Sequence, residues 1–183
     1  MVRPRLPFQA NQGNLEIEVA GPNPADRDLL VVNGNVDLTG TLLLMFSGYA
    51  PSASESFPVM QVAGNYSESN LKIVVLGLKP GFQCTHQFTG GQLVITAITS
   101  GQLRNATDPI QTLPPWLAPN SEFVFPVYAL AGATYQFDTS TDLRNWTRIS
   151  EQAGANALVE FRHVPPPGEP ARFYRVVQIS GTP

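Results

Sequence analysis

The chain is short of charge. Only 14% of its 183 residues are Asp, Glu, Lys or Arg, about half the usual share of a globular domain. Fourteen acidic residues outnumber 11 basic ones, and the basic ones form no run. A surface that tracks phosphates needs a basic face, so the composition argues against a nucleic-acid partner. Cysteine is nearly absent: Cys84 stands alone, which rules out an intrachain disulfide and a Cys-based zinc cluster. In FQCTHQF, strand alternation sets it on one face with Phe82 and His86, the setting of a buried, inert thiol. There are two histidines, His86 and His163, one in each half, and neither sits at metal-ligand spacing from another ligand. No cofactor and no metal site are implied. No apolar run reaches the roughly 18 residues of a membrane-spanning helix, so no membrane insertion is expected. There is no G-x-S-x-G, no glycine-rich phosphate loop and no H-E-x-x-H.

Proline and glycine are plentiful instead, 17 and 15 residues, beside 43% hydrophobic content. That is enough apolar material for a core, so the chain is not a disordered one. Asp28–Gln61 (DLLVVNGNVDLTGTLLLMFSGYAPSASESFPVMQ) shows how the two are arranged. Short Val, Leu and Phe runs are cut by Asn-Gly, Thr-Gly, Ser-Gly and Pro-Ser, which predicts short strands joined by tight turns. Strands are read at Leu15–Ala20, Asp28–Asn33, Asn35–Thr39, Thr41–Phe46, Phe57–Ala63, Leu71–Leu76, Phe82–Phe88 and Gln92–Ile98. Gly90-Gly91 is the strongest hairpin signal. LLLMF is apolar at every position and must be covered on both faces.

Residues 101–120 are rich in Pro, Thr and Asn and read as a linker or junction. Beyond them, strands are read at Glu122–Leu130, Thr134–Ser140, Trp146–Gln152, Ala157–Val164 and Arg172–Ile179. The Pro-rich VPPPGEP of Val164–Pro170 reads as a stiff crossing at a sheet edge. The fold class is therefore all-β. Residues 1–100 make a short-strand domain of β-helix-end or sandwich type, and residues 121–183 make a small sandwich.

Three segments of the first half, DLLVVNGNVDLTGTLLLMF, PSASESFPVMQ and GGQLVITAI, resemble the terminal part of autotransporter-type β-helices. They are similar to those of PEP-CTERM-associated surface proteins of bacteria. The match departs where Ser54 stands in place of the usual Gly. The second half, TYQFDTSTDLRNWTRIS with ARFYRVVQI, resembles small fibronectin-III-like modules. Tyr135, Ser140, Thr141, Asp142, Leu143, Trp146, Phe173, Tyr174 and Arg175 fit that pattern. STDLRNW is also similar to the Asp-box hairpin of sialidase-type propellers, one residue short and without its central Gly. The resemblance implies a non-catalytic structural or adhesive module of an exported or cell-surface protein. MVRPRLPFQANQGN has two arginines but no apolar signal core or cleavage site, so no signal peptide is read there.

The residues allow rival readings. A carbohydrate-binding module would use Trp116, Trp146 and Tyr135 as stacking surfaces, with polysaccharide as the partner. A hydrolase would need dispersed carboxylates. The acidic set Glu16, Glu18, Asp26, Asp28 and Asp37 could furnish a glycosidase pair or a calcium site, but Glu16 and Glu18, on one strand face by period two, read first as a solvated face. The chemistry favours a protein that is not an enzyme, with Trp146 as the core tryptophan of the second sandwich. Its expected partner is itself or an upstream β-helix segment, because a truncated stack leaves its first strand uncovered.

Overall fold

The computed structural model describes residues 13–168 and 171–180. The signal-peptide reading of the N-terminus thus lies almost wholly outside the described residues, as does the end of VPPPGEP. The regular secondary structure of the described residues is strand but for one 3-10 turn at Pro24–Asp26. No described helix is long and apolar enough to cross a membrane. The chain divides into two compact units, Met1–Arg104 and Asn105–Pro183.

In the first unit the chain makes one traverse through β1 (Asn14–Val19), β2 (Leu30–Val32) and β3 (Val36–Leu38). It then repeats the path through β4 (Thr41–Phe46), β5 (Ser56–Val62) and β6 (Tyr66–Glu68), and begins again at β7 (Lys72–Leu76). Successive traverses stack in parallel: β1 on β4 on β7, β2 on β5, β3 on β6. The coil of about 30 residues falls in the range of stacked-repeat architectures. Like side chains therefore form columns, Leu15 beside Leu42 beside Ile73 and Ile17 beside Leu44 beside Val75.

β4 is the middle strand of its sheet, and Leu42, Leu43 and Leu44 are all buried. That is the two-sided cover the LLLMF run requires. The third traverse ends differently. β8 (Cys84–Thr89) and β9 (Gln92–Ala97) form a hairpin around Gly90 and Gly91, both at positive φ, where glycine carries no steric penalty. β9 then pairs antiparallel with β5. Phe88 stacks on Tyr66 with ring centroids 4.1 Å apart, and Phe82 meets Phe46 edge-on.

In the second unit, β10 (Gln111–Thr112) and β11 (Trp116–Leu117) both pair antiparallel with β12 (Phe123–Ala129). These two strands lie within the stretch read as a linker, so residues 105–120 belong to the second unit. Pro114 and Pro115 stand between them and have no N–H to donate, which splits one edge strand into two. β12 pairs on its other side with β15 (Ala157–His163). The second sheet has β13 (Thr134–Ser140) at its centre, flanked by β14 (Thr147–Ala153) and β16 (Phe173–Ser180). Val127 and Phe161 from the first of these sheets and Tyr135 and Phe137 from the second lead the core of the unit.

Candidate functional site

The densest polar chemistry of the described residues lies at the β13–β14 corner. The corner forms because Asp142 collects donors. Its Oδ1 accepts the backbone N–H of Arg144 at 2.8 Å and of Asn145 at 2.7 Å, and its Oδ2 accepts the Asn145 side-chain amide at 2.7 Å. Ser140 Oγ accepts the N–H of Asp142 and of Leu143 and donates to Asp142 Oδ1. These donors, the Asn145 and Arg144 backbone amides first, hold the Asp142 carboxyl well below the ordinary carboxylate range. Leu143 takes the left-handed conformation at φ 60 and stands exposed at the tip.

Trp146 leaves this corner half-buried, with the Arg175 guanidinium 4.2 Å from its ring centroid. It is absent from the buried core, and the expectation of a core tryptophan is corrected. The turn is the reason. Trp146 lies one residue before β14, so the alternation of the strand does not reach it. Arg175 also bonds Asp138, with Nε and Nη2 each 2.9 Å from Oδ2. Asp138 is only 1% exposed. Gln136 donates to its other oxygen at 2.5 Å, and Arg148 joins Gln136 at 2.7 Å and Glu151 at 3.0 Å. A buried carboxylate is thereby satisfied by groups from β13 and β16, and the relay runs on to β14.

The other two aromatic candidates lie elsewhere. Tyr135 is fully enclosed, and its hydroxyl accepts the Leu130 N–H at 3.0 Å. It braces the β12–β13 turn from inside, and its ring is closed to a ligand. That corrects its reading as a stacking surface. Trp116 is half-buried on the edge strand β11, paired opposite Val124. Among the described residues no ring contact joins any two of Trp116, Trp146 and Tyr135.

A cleft of about 440 Å³ adjoins the corner, lined by Thr139, Ser140, Thr147, Arg148, His163 and Arg172 among others. Arg172 Nη1 donates to Thr139 Oγ1 at 3.1 Å, and His163 Nδ1 lies 3.1 Å from the Tyr174 hydroxyl. Its described lining holds hydroxyls, guanidinia, an amide and one imidazole but no carboxylate, so the described residues bring it no carboxylate pair of the kind glycoside hydrolysis uses.

The remaining titratable candidates lie in the first unit. Glu16 and Glu18 are exposed on β1. His86 Nε2 meets Glu68 Oε1 at 3.0 Å, and the Tyr66 hydroxyl bonds the other Glu68 oxygen. Both contacts lower the Glu68 pKa, that from Tyr66 most, while burial raises that of Tyr66. Sequence reading missed this cluster because it missed β6. The available signal was the repeat, since Tyr66-Ser67-Glu68 stacks in register on Val36-Asp37-Leu38. Cys84 is half-buried, and burial pushes its thiol pKa up. The described residues contain no group of three or more His, Cys, Asp or Glu placed to hold a metal ion.

No protein-family model matches the chain, and neither the curated proteins nor the solved structures contain a match to it.

Proposed function

We propose that the protein is a non-catalytic structural or adhesive module of an exported, cell-surface bacterial protein. In this reading the first unit is the end of a β-helix, and the second is a fibronectin-III-like sandwich attached to it. The observation that carries the proposal is how the polar side chains are used. Asp142 caps a turn, Asp138 pairs with Arg175 across strands, and Glu68 ties β6 to His86 of β8. These three carboxylates are engaged in holding short strands and turns in place, which is what a scaffold of stacked turns requires. The parallel columns of the first unit and the antiparallel hairpin beside them support the β-helix-end reading.

A carbohydrate-binding reading draws on the hydroxyl- and guanidinium-lined cleft, while the covering of Trp146 and the enclosure of Tyr135 count against an aromatic platform. The deciding experiment is labelling of intact producing cells with an antibody to this chain, followed by digestion with an added protease. Surface staining that the protease removes is expected. Staining only after the cells are opened would overturn the surface assignment.

A further inference from the structure

β1 pairs with β4 along one edge, so anything else that pairs with it must lie along the other. That edge was expected to be uncovered, yet part of it is occupied. After Val19 the chain turns through the 3-10 segment Pro24–Asp26 and comes back antiparallel, with Arg27 bridging Val19. The Ala20 N–H donates to the Asp26 carbonyl at 2.7 Å, and the Asp28 N–H donates to the Glu18 carbonyl at 2.9 Å. The Glu18 N–H donates to Asp28 Oδ2 at 3.1 Å. The outward backbone groups of Glu18 and the outward N–H of Ala20, on either side of Val19, are thus closed to any other strand. The returning segment is braced internally: Asn23 Nδ2 donates to Asp26 Oδ2 at 2.8 Å, and Arg27 Nη1 donates to the Pro22 carbonyl at 3.0 Å.

We propose that residues 22–28 are an edge-blocking strap that keeps the protein from pairing with a second copy of itself along β1. An open strand edge is a template for another strand, and folded proteins cover such edges. The occupant that the strap excludes is the same edge of a second copy. Two β1 strands laid antiparallel about a two-fold axis present identical, self-complementary edges, and closed two-fold pairing is the commonest route to a dimer. The strap also stands where the strand of a preceding parallel coil would have to pair. This inference concerns assembly and holds wherever the protein resides.

Asp28→Pro tests it. The substitution removes both the N–H that bonds Glu18 and the carboxylate that accepts from it. Arg27 already has φ −145 and ψ 156, the extended conformation that a residue before proline adopts. Two readouts are taken together: sedimentation velocity across a wide concentration range, and hydrogen exchange at the Ala20 amide. The parent is expected to sediment as a monomer with a protected Ala20 amide. The variant is expected to keep its strand circular dichroism, exchange Ala20 at least about tenfold faster, and gain mass as concentration rises. Fast exchange with a monomer at every concentration would overturn the proposal. So would a parent that self-associates while its Ala20 amide stays protected. If Asp28→Pro does not fold, Asp28→Ala decides by the same pair of readouts, with a smaller acceleration and weaker association expected. Acceleration without association, or neither, overturns it.

Discussion

Gly34 and Gly64 occupy equivalent corners of successive coils, Asn33-Gly34-Asn35 between β2 and β3 and Ala63-Gly64-Asn65 between β5 and β6. Their surroundings differ sharply. A Cβ on Gly34 would meet nothing within 4 Å among the described residues. A Cβ on Gly64 would lie 2.5 Å from Asn35 Oδ1 and 2.6 Å from the carbonyl carbon and oxygen of Gly34. Those atoms are the stacking contact itself. The Gly64 N–H donates to the Gly34 carbonyl at 3.1 Å, and the Asn65 N–H donates to Asn35 Oδ1 at 2.9 Å.

Alanine at Gly64 must therefore push backbone against backbone. Overpacking of this kind costs about 1–3 kcal/mol, with the upper end applying because carbonyl atoms cannot rotate away. Neither glycine sits at positive φ, so each alanine also recovers about 0.4–1 kcal/mol by stiffening the unfolded chain. The net expectation is a loss of about 2 kcal/mol for Gly64→Ala and a gain of about 0.5 kcal/mol for Gly34→Ala. At about 4–8 °C per kcal/mol for a unit of this size, the two variants should melt well apart. Urea unfolding read by hydrogen exchange at the β5 amides confines the measurement to this unit. Equal stability of the two variants, within about 0.5 kcal/mol, would refute the coil-on-coil contact as the source of the constraint.

Ser54 holds φ 70, a conformation that costs a non-glycine residue roughly 1 kcal/mol, so Ser54→Gly should raise the urea midpoint with the slope unchanged. Trp146→Ala should cost about 1–2 kcal/mol, from partial burial and one cation–π contact, against about 3–5 kcal/mol for Phe137→Ala in the core. Equal losses in denaturant titrations would return Trp146 to the core. Asp142 has a depressed pKa in the folded protein, so its contribution is complete above its unfolded pKa near about 3.9 and is lost as pH falls through the folded value. The stability gap between the parent and Asp142→Ala should therefore be constant from neutral pH down to that point and shrink below it. A gap that widens in acid would mean that the carboxylate is not held by the turn amides.

Much of this fold was legible because strand boundaries coincide with residues that can do only one thing. Thr41–Phe46 and Thr134–Ser140 have the bounds that their apolar content and flanking turn residues predict. Gly90-Gly91 makes the hairpin that its tolerance of positive φ implies. The misses share a cause. β6, β10 and β11 have only two or three residues each, too few to show a period. They exist because a neighbouring strand supplies partners, Val36–Leu38 for β6 and β12 for the other two. Proline in LPPWLAP pointed to a linker, but an edge strand needs donors on one side only, so proline is tolerated there.

The candidate site was less legible than the fold, and Asp138 shows why. In YQFDTS it occupies the polar half of an alternating pattern, which by period alone places it in water. It is buried nonetheless, because Arg175, 37 residues further on, arrives on β16 directly opposite in register. The side chain of Arg175 is still 44% exposed, so this pair is neither a surface ion pair of little consequence nor a fully desolvated one. Removing Asp138 frees an arginine that can turn to water. Removing Arg175 leaves a carboxylate with one remaining side-chain donor among the described residues, Gln136, in a place that water barely reaches. The two truncations are therefore unequal. Arg175→Ala should cost more than Asp138→Ala, and because Arg175 also covers the Trp146 ring, that excess should fall when Trp146 is already alanine. A double-mutant cycle in which Arg175 and Trp146 are strictly additive would show that the ring and the ion pair are independent, and that the β13–β14 corner is not tied to β16 through this arginine.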